Sequence, residues 1–124
     1  MISCVAAMGC RADVTLSALR EALAQVSSGH SIDALATLSG RADLPALRDL
    51  AQETGLPLIA IEREAIAGTV TPTQSARILA SFGTGSVAEA VALAAIAAPA
   101  HIAVTRQIST DGSVSAAIAI RDLS

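Results

Sequence analysis

The stretch Ile2-Ser3-Cys4-Val5-Ala6-Ala7-Met8-Gly9-Cys10-Arg11 opens the chain with a short, almost unbroken apolar run that stops at a glycine. A continuous run, rather than an alternating one, suits a strand covered on both faces, as in parallel sheets. The residues that follow support this. Thr15 stands where a helix N-cap belongs, and Leu16, Leu19, Leu23 and Val26 then recur at helical spacing with Arg20, Glu21 and Gln25 facing outward. Gly29 stops the helix.

The same alternation continues outward from this unit. A second strand is expected over 32–38, ending at Ser39-Gly40-Arg41. Asp43 is expected to cap the next helix and Pro45 to occupy its first turn, where a missing N–H costs nothing. Leu47, Leu50 and Ala51 face inward, and Gly55 suits the C-terminal cap. A third strand is expected over 56–61, then a short helix over 63–67 ending at Gly68. Thr71-Pro72-Thr73 opens an irregular connection to a helix marked by Ile78, Leu79 and Phe82 and ended by Gly83. Ser86-Val87-Ala88-Glu89 reads as a capping box opening a helix apolar on nearly every side, which must therefore be buried or sit at a subunit contact. Strands over 101–108 and 114–120 are joined through Asp111-Gly112, a hairpin signal.

Strands alternating with helices imply an α/β fold. The expected architecture is a single three-layer domain over 1–124. Its five-stranded sheet is mostly parallel, in order 3-2-1-4-5, with the last strand antiparallel at the edge and helices on both faces.

Composition narrows the partners. Among 124 residues there is no Trp or Tyr and Phe82 is the only aromatic, so the core must be built from Leu, Ile, Val and many Ala. The net charge is −3 and every basic residue is Arg, with no basic run and no aromatics interleaved, which argues against nucleic acid. Cys4 and Cys10 form no CxxC and no His/Cys cluster, so no metal is expected. No signal segment is visible, and the apolar run 87–104 is interrupted by Glu89, Pro99 and His101; a cytoplasmic protein without membrane contact and with reduced thiols is expected. Walker, GxGxxG, GxSxG and HExxH motifs are missing, so no cofactor is expected.

The topology itself predicts a site. Ligands of open α/β sheets bind beyond the strand C-termini, where strand order reverses. Arg11, Arg41 and Arg106 fall at or near such ends, and the Thr84-Gly85-Ser86 turn should lie alongside Gly9-Cys10-Arg11. Exposed N–H groups at a helix start favour anions, so the candidate ligand residues are Gly9, Cys10, Arg11, Arg41, Thr84, Gly85, Ser86, Glu89 and Arg106. Plainer readings stand beside these. Ser86 and Glu89 serve as reciprocal caps, in which case Glu89→Gln leaves most stability and binding intact. Cys10 is an inert thiol, having no neighbouring His in sequence to activate it. Gly9 and Gly85 serve as turns. No catalytic residue is assigned.

Read together, the ordered set Gly9-Cys10-Arg11, Leu35-Ala36-Thr37 with Arg41-Ala42-Asp43 and Leu50-Ala51, Gly55-Leu56-Pro57-Leu58, and above all Gly83-Thr84-Gly85-Ser86-Val87-Ala88-Glu89-Ala90-Val91-Ala92-Leu93, resembles the cobalamin-synthesis family of CobE and the CbiG C-terminal domain. Ala117-Ile118-Ala119 is similar to the family's closing strand. The sequence departs at Arg41 and Arg106, where the family often has Lys, and at Ala12-Asp13, where a Gly or a basic residue is common. Charge is kept, but a lysine's Schiff-base chemistry is not. The resemblance implies work in corrin-ring synthesis, with a corrinoid or precorrin intermediate and other enzymes of that pathway as partners. It implies either a protein that binds and hands over a polycarboxylate intermediate, or a hydrolase that modifies the ring, as CbiG-type proteins do in opening a lactone and releasing acetaldehyde. A nucleotide binder is the weakest reading, because Arg41 stands where a ribose-binding acid belongs.

Overall fold

In the computed structural model, which describes residues 2–122, strands and helices alternate as far as the third strand and are followed by two successive helices and a β-hairpin, giving five strands and four α-helices. They are β1 (Cys4–Cys10), α1 (Leu16–Ser27), β2 (Ala34–Leu38), α2 (Pro45–Thr54), β3 (Leu58–Ile61), α3 (Ala76–Phe82), α4 (Val87–Ile96), β4 (Ala100–Ile108) and β5 (Val114–Arg121). A 3₁₀ turn, Arg63–Ala65, stands where a short helix was expected. The local stop and start signals act as read. Thr15 Oγ1 accepts from the Ala18 N–H, Pro45 opens α2, and Gly55 and Gly83 end their helices with φ of 71° and 75°, a conformation a Cβ disfavours. Asp43 does not cap α2. The helix starts from Leu44, which makes no side-chain cap, and Asp43 pairs instead with Arg48 at 2.7 Å.

The sheet order is β3-β2-β1-β5-β4, not 3-2-1-4-5. β1 pairs parallel with β2 and antiparallel with β5, and β4 pairs antiparallel with β5 on the outside. The expected antiparallel last strand is present, but it lies inside the sheet and β4 takes the edge. The reason is burial. Val114-Ser115-Ala116-Ala117-Ile118-Ala119-Ile120 is nearly continuous in apolar residues and is buried over most of its length. Ala100–Ile108 alternates between half-buried and exposed positions, the pattern of an edge strand with one wet face. The interior position goes to the strand that buries more apolar surface on both sides.

Alternation along the strands divides the core. Cys4, Ala6 and Met8 of β1 pack with Leu19 and Val26 of α1 and Leu47 and Leu50 of α2, whereas Val5 and Ala7 pack with Ala90, Val91 and Ile96 of α4 and with Ile66. Ala88, Ala90 and Ala92 are fully buried, and their small side chains let α4 lie close against β1 and β5. Among the described residues no single helix is long and apolar enough to cross a membrane.

Candidate functional site

A cleft of about 680 Å³ lies across the C-terminal ends of β1, β2, β3 and β4, within the usual size range of small-molecule sites. Each wall follows from a strand ending there. β1 contributes Gly9, Cys10 and Arg11, β2 runs into Ser39, Gly40 and Arg41, and the chain after β3 supplies Glu62, Arg63 and Glu64. α3 adds Arg77, Ile78 and Phe82, α4 adds Val87, and the hairpin adds Arg106, Ile108, Gly112, Ser113 and Ser115. Because β5 separates β1 from β4, the hairpin tip and the start of β5 floor the mouth that was expected to lie directly between strands one and four.

Five arginines therefore face one cleft, against two glutamates. They are not equivalent. Arg41 Nε donates to the Cys10 carbonyl at 3.0 Å, tying the β2 exit to the β1 exit. Arg63 lies 4.2 Å from the Phe82 ring centroid and donates to the Ser81 carbonyl, so it is held as part of an apolar wall with Ile78, Phe82 and Val87. Arg77 and Arg106 have no hydrogen-bond or ion-pair partner for their guanidinium groups among the described residues, which leaves both with donors to offer an anion. Glu62 accepts a hydrogen bond from the Ser39 hydroxyl at 3.1 Å, so one of the two acids is engaged at the rim.

Cys10 lines the cleft as a free thiol, and Cys4 is buried and also free. Burial pushes the Cys10 pKa up and the nearby Arg41 charge draws it only partly back. A thiol so placed is a poor nucleophile at neutral pH.

Five of the expected site residues, Gly9, Cys10, Arg11, Arg41 and Arg106, meet at the cleft. Thr84, Gly85, Ser86 and Glu89 do not line it; all four are buried, and the polar side chains of Thr84, Ser86 and Glu89 are spent inside the protein. Thr84 Oγ1 donates to the Thr69 carbonyl at 2.7 Å, and Ser86 Oγ accepts from the Glu89 N–H at 3.3 Å as a helix cap should. A Cβ on Gly85 would stand 2.4 Å from the Thr73 carbonyl oxygen, so this glycine admits the 71–74 loop against the α4 start. The expected closeness of that start to β1 is present, since Val87 Cγ1 lies 3.9 Å from where a Gly9 Cβ would be.

Glu89 differs most from its expected role. It is fully buried, and its carboxyl does not return to the start of α4. Oε1 accepts from Thr73 N–H at 2.9 Å, and Oε2 accepts from the Thr73 hydroxyl at 2.6 Å and from Arg106 N–H at 2.7 Å. Half of the expected capping box is thus replaced by a link between the 71–74 loop and β4. Arg63, Arg77, Glu62 and Glu64 were missed as cleft residues, although the signal was available for three of them: Glu62, Arg63 and Glu64 follow the third strand just as Arg11 and Arg41 follow the first two.

The chain matches the family described as Cobalamin synthesis G C-terminus over residues 4–119. It belongs to that family. Two solved structures are similar to this member of the Cobalamin synthesis G C-terminus family. One is CobE, a protein from the cobalamin (vitamin B12) biosynthetic pathway, with a TM-score of 0.81 and 28% identity, covering 96% of this chain and 90% of the other. The second is the cobalamin biosynthesis protein chiG from Agrobacterium tumefaciens str. C58, with a TM-score of 0.73 and 29% identity, covering 97% of this chain and 99% of the other. No curated protein matches the chain. Family membership makes this a cobalamin biosynthesis protein.

Proposed function

We propose that this protein binds a polycarboxylate corrinoid or precorrin intermediate in the arginine-lined cleft and passes it to another enzyme of the same pathway. The observation that carries the reading is the convergence of Arg11, Arg41, Arg63, Arg77 and Arg106 on one cleft that also has an apolar wall. A corrin precursor is a broad apolar ring edged with carboxylates. Guanidinium groups match its rim through planar, bidentate hydrogen bonds, and Ile78, Phe82 and Val87 offer its face a dry surface. The partner is a small molecule met in the cytoplasm, not nucleic acid or membrane; the negative net charge and the gathering of five of the eight arginines in one cleft support this. Binding rather than ring hydrolysis is favoured because the cleft cysteine is pushed away from its thiolate form by burial.

The test is a spectroscopic titration with a polycarboxylate corrinoid. A shielded charge-assisted hydrogen bond is worth about 1.5–3 kcal/mol, so Arg11→Ala or Arg106→Ala is expected to weaken binding about ten- to a hundredfold. Arg11→Lys recovers only part of this, since an ammonium lacks the fork. Arg20 is the control: it lies outside the cleft, paired with Glu53 at 2.7 Å on the surface, and Arg20→Ala leaves affinity unchanged. Equal affinity for wild type, Arg11→Ala and Arg106→Ala sinks the site. A spectrum that keeps changing after mixing, with a new product formed, replaces the carrier reading with the hydrolase.

A further inference from the structure

Arg106 sits in an irregular part of the sheet. Along β4 the pairing with β5 slips between Val104 and Gln107, a bulge that takes residues 105 and 106 out of the regular ladder. A bulge re-aims a side chain and leaves a backbone N–H without a strand partner. Here the freed N–H of Arg106 is taken by Glu89 Oε2 at 2.7 Å, and the side chain on the same residue reaches the cleft. Glu89 is itself pinned from the far side by both donors of Thr73, whose loop is held in turn by Thr71 Oγ1 to the Thr73 carbonyl at 2.8 Å. A fully buried carboxyl with three donors aimed at it is an expensive arrangement unless every bond is made, and here every one is.

We propose that Glu89 is a positioning residue: it fixes the β4 bulge and so presents the Arg106 guanidinium to a carboxylate of the ligand. The inference rests on the binding reading above and adds how one of its arginines is selected. It also reverses the expectation that Glu89→Gln is mild. All three of Glu89's partners bring an N–H or O–H, and only the Thr73 hydroxyl can rotate away. A glutamine at 89 has one acceptor oxygen, so its NH₂ group must face either Thr73 N–H or Arg106 N–H, and one of the two fixed donors loses its bond.

The test is a double-mutant cycle on affinity for a polycarboxylate corrinoid. Glu89→Gln is expected to weaken binding about tenfold in the wild-type background and less than twofold in the Arg106→Ala background, because the contact it tunes is already gone. Thr73→Val, which removes one of the donors that orient Glu89, is expected to give a several-fold loss that also disappears with Arg106→Ala. It serves where Glu89→Gln does not fold. Amide exchange is the second readout: the Arg106 N–H is protected in wild type and exchanges faster in Glu89→Gln or Thr73→Val. A loss of affinity equally large in both backgrounds makes Glu89 merely structural and overturns the inference, as does unchanged affinity. If wild type fails to bind the corrinoid, the binding reading falls, and the exchange data alone decide whether Glu89 sets the bulge.

Discussion

Gly85 is the residue on which the buried side of the site closes. Its missing Cβ makes room for the Thr73 carbonyl, and Gly85 O accepts from Ser75 N–H at 3.0 Å, so the 71–75 segment is both admitted and tied there. A Cβ 2.4 Å from a backbone oxygen and 2.9 Å from Gln74 Cδ forces that segment to shift. Gly85→Ala is therefore expected to cost about 1–3 kcal/mol of stability, the usual range for overpacking, read as a lowered urea midpoint. Unchanged stability would mean that the loop moves freely. At this scale the sequence is legible where the deciding bond is local. The caps at Thr15 and Ser86 join residues three apart, and the glycine stops depend on their own φ. Asp43 misleads because Leu44, one residue later, takes the N-cap position of α2. Glu89 misleads for a deeper reason: its carboxyl partners lie 16 and 17 residues away, and nothing in a Ser-x-x-Glu pattern distinguishes a glutamate that turns back to its own helix from one that reaches another element.

Strand order is decided between elements, and there the hairpin is the instructive case. Its existence is plain from Asp111-Gly112, but a hairpin can enter a sheet by either strand. The choice is visible in the burial contrast between the continuous run of β5 and the alternation of β4, a contrast that the order of strands along the chain conceals. The consequence reaches the site, because β5 beside β1 puts Ser113 and Ser115 into the cleft and moves Arg106 one strand further out. The hairpin turn is held by Asp111, whose carboxyl accepts from Ser113 Oγ at 2.6 Å, Ser113 N–H at 2.9 Å and Ser109 Oγ at 2.8 Å. The Ser113 bonds, with Ser109 and then the Arg11 charge, lower the Asp111 pKa from 3.8 to about 2. A carboxyl with a depressed folded pKa contributes stability that is present above its unfolded value and lost as pH falls through the folded one. Asp111's contribution is therefore expected to be intact above pH 4 and to fade between about 4 and 2. Unfolding of wild type and Asp111→Asn followed across that window checks it: the stability difference between them should shrink as pH falls. A difference independent of pH would mean that the turn does not depend on the charge.

Over the whole molecule, charge is segregated rather than abundant. The chain carries a net charge of −3, yet its cleft gathers five of the eight arginines beside only two glutamates. Outside the cleft, Arg20 and Arg48 are neutralised by Glu53 and Asp43 at 2.7 Å each. Such an arrangement repels most anions from the surface at large and concentrates attraction at one mouth, where low-dielectric walls focus the field. The folding pattern that produces it is simple: strands β1, β2 and β3 each hand the chain to a polar exit at the same edge, so arginines far apart in sequence arrive together. That much follows from topology and was legible. The division of labour among the arginines was not, because whether a guanidinium is spent on a carbonyl, as in Arg41, stacked on a ring, as in Arg63, or left available, as in Arg77 and Arg106, depends on packing. If the field of the cleft is what attracts the ligand, affinity must respond to screening in proportion to ligand charge. Affinity for a polycarboxylate corrinoid is expected to fall on the order of tenfold as salt rises from about 0.02 M to about 0.3 M, where the screening length drops below the width of such a cleft. The same ring with its carboxylates converted to amides keeps the apolar contacts and loses the charges. It should bind more weakly at low salt and change by less than about twofold over that range. Titrating both ligands at several salt concentrations separates the two contributions. Identical salt dependence for the acid and the amide would show that the arginines are not reading carboxylates and would leave the apolar wall as the recognition surface.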